Sequence, residues 1–343
     1  MDGAAGAFGF RVALLYGGDS AEREISLHSG RQVALALSLA GHAPVMIDPA
    51  EISLSAIDWP SFDVCCLALH GGPGENGQIQ QHLETLGVPY TGSGPAASRL
   101  AMHKSAAKLR FKSHGVPTLP SIAFTASEYR DAENTHPASA VRQQLQSLGF
   151  PLVIKPESQG SSLGISIAAH PAELSPGVRA AAEYDDCIIA EPYVAGREFT
   201  ISLLGRDPLP MIEIVAPQRL FTYSAKYCSP KTEYQLNTGL PAAVEAQLYR
   251  AAVMAAEALG TAGLVRVDVM LDAQHRPWVL EVNTIPGMTV RSLSPRAAQA
   301  AGMEMPALVD WMVREARQRF RRRPVSRRRN AEFELRGTQQ ALM

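Results

Sequence analysis

Cysteine is scarce: the chain has four in 343 residues, Cys65, Cys66, Cys187 and Cys228. Their spacing lacks the paired pattern of a zinc site, and the neighbours Cys65 and Cys66 would point to opposite faces of a strand. Reduced thiols in a cytoplasm are the expectation. Long apolar runs are also missing. Val12 to Tyr16 is too short for a membrane span or signal core, and the first residues Met1-Asp-Gly-Ala-Ala5 carry no basic group, so we expect a cytoplasmic protein with no membrane span. Nor is there a large charge excess. The net charge is -1; from Arg321 to Met343 seven arginines against Glu332 and Glu334 give +5, which leaves -6 for the remainder. A mildly acidic body offers no footprint for nucleic acid, and the Arg-rich stretch 321–343 is expected to be a disordered tail. What is present is an ordinary globular composition, 46% hydrophobic and 19% charged, in a chain long enough for two or three domains.

The first part alternates strand, glycine turn and helix. Val12–Tyr16 ends in Gly17-Gly18 and leads to a helical pattern over Glu24–Leu39, with Ser20 available as its cap. Strands near Ala43–Ile47 and Val64–Leu69, the latter ending in His70-Gly71-Gly72, extend this to an open α/β sheet that would bind ligands at its strand C-terminal ends. One helix is expected over Ala96–His114, with Lys104 in its middle turns, and a polar surface linker over Glu128–Ala140. Further strands are expected at Cys187–Glu191, Glu198–Leu204 and Met211–Val215, then a polar loop over Thr222–Thr238 and a helix over Glu245–Leu259.

The most telling stretch is Gly263 to Leu271, a polar turn Asp272 to Arg276, and Pro277 to Asn283. Two apolar arms about a polar turn read as an antiparallel hairpin. Side chains alternate faces, so Arg266 and Asp268 share one face, Glu281 and Asn283 share one face, and folding about Gln274 and His275 sets Asp268 opposite Glu281. Two carboxylates and an amide oxygen beside an arginine make a hard oxygen site of the kind Mg²⁺ uses when it also holds phosphates. The bland alternative is a solvated surface hairpin.

Val153-Ile-Lys155-Pro156, the loop Glu157-Ser-Gln-Gly160-Ser161-Ser162-Leu-Gly164 and Ile165-Ser-Ile167 read as a second hairpin with a glycine-serine tip, whose backbone N–H groups suit phosphate. No Gly-Lys-Ser/Thr follows, so this is not a P-loop. Lys155 on an apolar strand needs an anionic partner, and a nucleotide phosphate is a natural one. A phosphate flap, an interior lysine and a divalent-ion hairpin together indicate a nucleoside-triphosphate enzyme that is neither kinase nor P-loop protein.

At this point the chain resembles D-alanine-D-alanine ligase of the ATP-grasp superfamily, from about Val12 to Val313. The resemblance rests on Gly17-Gly-Asp-Ser-Ala-Glu-Arg-Glu-Ile-Ser-Leu27, Leu69-His-Gly71, Pro89-Tyr-Thr-Gly-Ser-Gly94, Lys155-Pro156 with Gly160-Ser-Ser162, Ala225-Lys-Tyr227, Arg266-Val-Asp268, and Glu281-Val-Asn-Thr-Ile-Pro-Gly-Met288 with Ser292-Leu293. It implies an α/β and α+β fold of three domains with a Rossmann-like N-terminal open sheet: a substrate domain over 1–96, a central domain with the flap over 97–190, and a metal-binding domain over 191–320. It also implies ATP-dependent joining of two D-alanines through an acyl phosphate, for a peptidoglycan precursor, by a homodimer.

The resemblance assigns roles as well. Glu22, with Tyr227 and Ser161, would hold the first substrate's ammonium, and His70 would lie beside its carboxylate. Arg266 and the Gly287 backbone N–H would stabilise the oxyanion, and Ser292 and Leu293 would line the second-substrate site. Lys104, Lys155, Lys226, Ser161 and Ser162 would meet ATP phosphates, with Glu191, Tyr193 and Val194 at the adenine and Glu198 at the ribose. Asp268, Glu281 and Asn283 would hold two Mg²⁺ or Mn²⁺ ions. From the residues alone, Glu22 is equally a first-turn acid, His70 a core histidine, and Ser292 a helix cap.

Some positions depart from the family pattern. His103 stands where Asp is usual, Asn76 replaces the second acid of an acidic pair, Pro192 replaces a common Lys, and Gln235-Leu-Asn237 and Val290-Arg291 replace the usual residues near the acceptor. Val290-Arg291 keeps open an ATP-grasp ligase with a different acceptor, such as a mixed dipeptide or D-lactate, although Tyr227 favours an amine. A nucleotide-binding regulator without catalysis is the alternative of a different class.

Overall fold

In the computed structural model the described residues are 9–135, 140–215 and 232–322. Three sheets organise them. The first holds β1 (Arg11–Leu15), β2 (Ala43–Ile47) and β3 (Val64–Leu67), all parallel, in the order β2-β1-β3. Its central strand is buried on both faces, which is why Val12-Ala-Leu-Leu15 is uninterruptedly apolar. Cys65 and Cys66 face opposite cores, Cys65 beside Leu15 and Trp59, Cys66 beside Leu14 and Val33. Gly17 and Gly18 turn the chain out of β1 at φ 74° and 75°, and a Cβ at Gly17 would lie 2.4 Å from Asp48 Oδ2. Only glycine satisfies both demands. The next helix spans Arg23–Leu39 with Glu22 at its N-cap position. Ser20 is not that cap: its Oγ accepts the Glu22 N–H at 3.1 Å and donates to the His70 carbonyl at 2.5 Å.

The second sheet is antiparallel, with β4 (Ile122–Thr125), β5 (Leu152–Pro156), β6 (Ser166–Ala168) and β7 (Cys187–Pro192) in the order β4-β7-β5-β6. The expected surface linker is largely a helix, Ala126–Thr135, anchored by buried Tyr129 beside Phe124 and Leu145; residues 136–139 lie outside the described ones. One apolar anchor in a polar decamer gives no periodic signal.

The third sheet holds β8 (Gly196–Leu204), β9 (Asp207–Pro208), β10 (Ile212–Val215), β11 (Glu233–Gln235), β12 (Leu264–Asp272) and β13 (Pro277–Asn283), in the order β11-β10-β8-β12-β13 with β9 beside β8. The edge strand β11 falls inside the expected polar loop, whose part up to residue 231 lies outside the described residues. On one face Phe199, Ile201, Val265, Val267 and Val269 pack against the helix Ala242–Leu259 and against Ala107 and Phe111. Those last two belong to the second of two helices, Pro95–Met102 and Lys104–Ser113, which replace the single expected one. The chain breaks at His103, where φ is -85° and ψ 98°, so Lys104 begins a helix instead of lying mid-helix. Near the other end of the sheet Leu204, Ile212 and Leu264 share a core with the helices Leu293–Ala300 and Met305–Arg321 and with Leu14 and Leu37 of the first layer. Phe199 is fully buried in that first core. Phe199→Ala is therefore expected to lower unfolding stability by about 3–5 kcal/mol, measurable by urea titration, and a loss under 1 kcal/mol would contradict this packing.

Candidate active site

Between the second and third sheets lies a cleft with about 850 Å³ of empty space, open to solvent and lined by Lys104, Lys155, Ser162, Glu191, Tyr193, Val194, Glu198, Asp268 and Glu281, among others. Lys155 and Glu191 are diagonal neighbours on one face of β5 and β7, and Lys104 and Lys108 approach from the Lys104–Ser113 helix. Glu191 is 3% exposed; Lys155 Nζ donates to its Oε1, and Lys108 Nζ lies 2.7 Å from its Oε2. Burial works to raise the Glu191 carboxyl, but Lys108 and Lys155 reverse this and bring it down to about 2. Burial pushes the ammoniums of Lys104 and Lys108 below their usual range. Two lysines on one carboxylate leave an excess positive charge that suits a phosphate. Lys108 is a site residue that sequence reasoning missed, although its i+4 spacing from Lys104 puts both on one helix face.

On the opposite wall Asp268 pairs with Glu281 in register, and Arg266 with Asn283, as the alternation of the hairpin predicts. Arg266 grips Asp268 with Nε and Nη2, both at 2.9 Å; Asn283 Nδ2 donates to it at 3.1 Å and Thr200 Oγ1 at 2.7 Å. Thr200 was also missed, because nothing in sequence shows that β8 lies beside β12. Glu281 Oε2 lies 3.7 Å from Lys104 Nζ, which itself donates to the Gln159 carbonyl at 2.5 Å. Among the described residues no three His, Cys, Asp or Glu form a metal cluster. The donor set is two carboxylates and an amide oxygen on neighbouring strands; these hard oxygens fit Mg²⁺ or Mn²⁺ if phosphate oxygens and water complete the coordination.

The flap crosses to the first sheet. Ser161 and Ser162 sit at φ 51° and 56°, a region non-glycine residues seldom adopt and one that clusters at ligand clamps. Ser161 Oγ donates to Glu22 Oε1, and Glu22 is only 8% exposed. A Cβ at Gly71 or Gly160 would lie 2.7 Å or 3.2 Å from Glu22 Oε2, so both loops close on this carboxylate. Nearby, Ser29 Oγ lies 3.0 Å from His70 Nε2 and accepts the Met288 N–H at 3.4 Å. On the other side of the ring His70 Nδ1 lies 3.5 Å from Glu75 Oε1. Ser29 thus joins the helix after β1 to the segment carrying Gly287, another link sequence reasoning did not find.

Ser292 occupies the N-cap position of Leu293–Ala300, yet its side chain makes no cap hydrogen bond; Oγ instead accepts the Thr289 N–H at 3.0 Å. A Cβ on Gly287 would lie 2.9 Å from that Oγ, so Gly287 and Ser292 face each other. Lys226 and Tyr227 lie outside the described residues, as does Cys228.

A family model described as D-ala D-ala ligase C-terminus matches residues 110–314. A D-alanine--D-alanine ligase of Bordetella petrii is 44% identical over 310 residues, covering 89% of this chain and 92% of its own length. One from Gloeobacter violaceus is 42% identical over 305 residues, covering 88% and 98%. Among solved structures, the D-alanine--D-alanine ligase of Bacillus anthracis superposes with a TM-score of 0.78 at 33% identity, covering 91% of this chain and 98% of that one. The same enzyme complexed with ATP gives 0.77 at 31% identity, covering 92% and 99%.

Proposed function

The chain belongs to the D-alanine-D-alanine ligase family, and we propose that it uses ATP to join two D-alanines into D-alanyl-D-alanine, a peptidoglycan precursor, in the cytoplasm. The observation that carries this reading is the facing of the Lys104, Lys108, Lys155 and Glu191 cluster with Asp268 and Glu281 across one cleft. In the first step a carboxylate oxygen of one D-alanine attacks the γ-phosphorus of ATP, the bond to the bridging oxygen breaks, and ADP leaves. In the second, the neutral amine of another D-alanine attacks the acyl carbon, the nitrogen gives up one proton, and phosphate leaves with the original carboxylate oxygen and ends carrying that proton.

Lys104, Lys155 and Lys226 orient the phosphates, helped by the backbone of Ser161 and Ser162. Adenine sits against Glu191, Tyr193 and Val194, with the ribose at Glu198. Glu22, with Ser161 and Tyr227, takes the first ammonium, and His70 stands by its carboxylate. Arg266 and the Gly287 N–H receive the oxyanion as charge develops there. Ser292 and Leu293 bound the acceptor site. Asp268, Glu281 and Asn283 would hold Mg²⁺ or Mn²⁺, which screens the repulsion between carboxylate and phosphate.

The three sheets support three units, proposed over 1–96, 97–190 and 191–320, although β7 (Cys187–Pro192) runs across the second boundary and the helices Pro95–Met102 and Lys104–Ser113, which open the central unit in sequence, pack on the large sheet. Exposed Leu35, Leu39, Val45 and Met46 on the first layer support a homodimer.

The acyl phosphate is testable directly. D-alanine carrying oxygen-18 in its carboxylate is expected to deliver one labelled oxygen to phosphate per dipeptide formed, read by mass spectrometry. Dipeptide with unlabelled phosphate would rule this route out.

A further inference from the structure

The helix carrying Lys104 and Lys108 starts without a cap of its own. His103 holds the N-cap position, but its side chain makes no cap hydrogen bond, and its Nδ1 lies 3.0 Å from Ser158 Oγ instead. The orphan donors of a helix start still need acceptors. They find one on another element: Ser105 N–H donates to Glu157 Oε1 at 2.9 Å, the Ser105 hydroxyl donates to the same oxygen, and Lys104 N–H reaches the Glu157 carbonyl at 3.3 Å. Glu157 follows β5, and its own N–H donates at 2.9 Å to the carbonyl of Cys187, where β7 starts.

We propose that Glu157 is a positioning residue for nucleotide binding: its carboxylate caps the Lys104–Ser113 helix from outside and so fixes Lys104 and Lys108 against Lys155, Glu191 and the root of the flap. Glu157 is 5% exposed, and its Oε2 is buried with no hydrogen-bond partner among the described residues. Burying a carboxylate with one oxygen unanswered is costly, so the other oxygen must return something. An anionic acceptor at a helix N-terminus also matches the positive end of the helix dipole. Two further contacts make the same seam, His103 with Ser158 and Lys104 Nζ with the Gln159 carbonyl. Residues 157–159 therefore lie along the helix start as a unit, with the carboxylate of Glu157 as its charged anchor. Glu157 meets no reacting atom; it acts through the lysines.

This inference rests on ATP being the nucleotide, and its test separates the two. ATP affinity would be measured by calorimetry with Mg²⁺ and no D-alanine, beside steady-state kinetics and melting temperature, for wild type, Glu157→Ala, Glu157→Gln, and Glu157→Ala combined with His103→Asp. Losing a cap weakens ATP binding about tenfold and raises the KM for ATP in step, while the KM for D-alanine stays within about twofold. Glu157→Gln keeps an oxygen acceptor and stays within about threefold of wild type. His103→Asp returns a cap from within the helix and restores both ATP affinity and melting temperature. Unchanged ATP affinity in Glu157→Ala, equal losses for both substrates, or no rescue by His103→Asp would overturn the proposal. If Glu157→Ala does not fold, the double variant decides: a folded, ATP-binding double variant upholds capping, and an unfolded one refutes it. Wild type that binds ATP but forms no dipeptide would sink the ligase reading while leaving the Glu157 comparison intact.

Discussion

Glu191→Ala is expected to destabilise the protein by about 3–5 kcal/mol and to remove measurable ATP binding, because it leaves two buried ammonium groups facing each other with no counter-charge. Lys155 and Lys108 both end on this carboxylate, and none of the three is more than 6% exposed. Glu191→Gln keeps the shape but not the charge and should fall between. The same carboxylate carries a pH signature. Its folded value, about 2, lies below the ordinary carboxylate value of about 4.3, so its stabilising contribution is complete above the latter and is lost as pH falls through the former. The melting temperature of wild type should therefore drop more steeply between about pH 5 and 2 than that of Glu191→Gln. Parallel curves would show that Glu191 is not held ionised by its lysines.

Asp268→Ala should lower dipeptide formation by about 10³-fold or more, with a much smaller loss of stability. The substitution deletes one of the two carboxylates on the cleft wall and strands the donors that converge on it: both Arg266 contacts, Thr200 Oγ1 and Asn283 Nδ2. A guanidinium freed from Asp268 adds to the damage if, as proposed, Arg266 receives the oxyanion. Asp268→Asn retains an acceptor for Thr200 and loses the charge, so it should recover stability but little turnover. Activity within tenfold of wild type in either variant would mean that this hairpin does not hold the phosphate-bound cation.

How much of this was visible in the chain depends on distance along it. The Asp268 to Glu281 pairing was legible because both arms alternate about one short turn, and period-two geometry then fixes the register. The β5–β6 hairpin was legible from its two apolar arms about a glycine-serine tip, and Lys155 as a lone charge on an apolar strand. The break at His103 was not, because no glycine or proline marks it and the acceptor that caps the next helix, Glu157, follows β5 and lies 52 residues beyond Ser105. Lys104 is assigned to the phosphates only by the family resemblance, since its helix gives no local sign of burial, yet it is 6% exposed. The helix Ala126–Thr135 escaped for want of a repeating apolar pattern, and β11 because three residues on a sheet edge give too short a signal. Thr200 and Ser29 meet their partners only through strand order and helix docking, which no local pattern encodes.

The central claim is that one cleft couples ATP cleavage to joining two D-alanines. The most direct test incubates the purified chain with ATP, Mg²⁺ and D-alanine and measures ADP and dipeptide together, with Asp268→Ala alongside. One D-alanyl-D-alanine per ADP, lost in the variant, is the predicted result. ADP without dipeptide, or a product only with a different acceptor such as D-lactate, would contradict it.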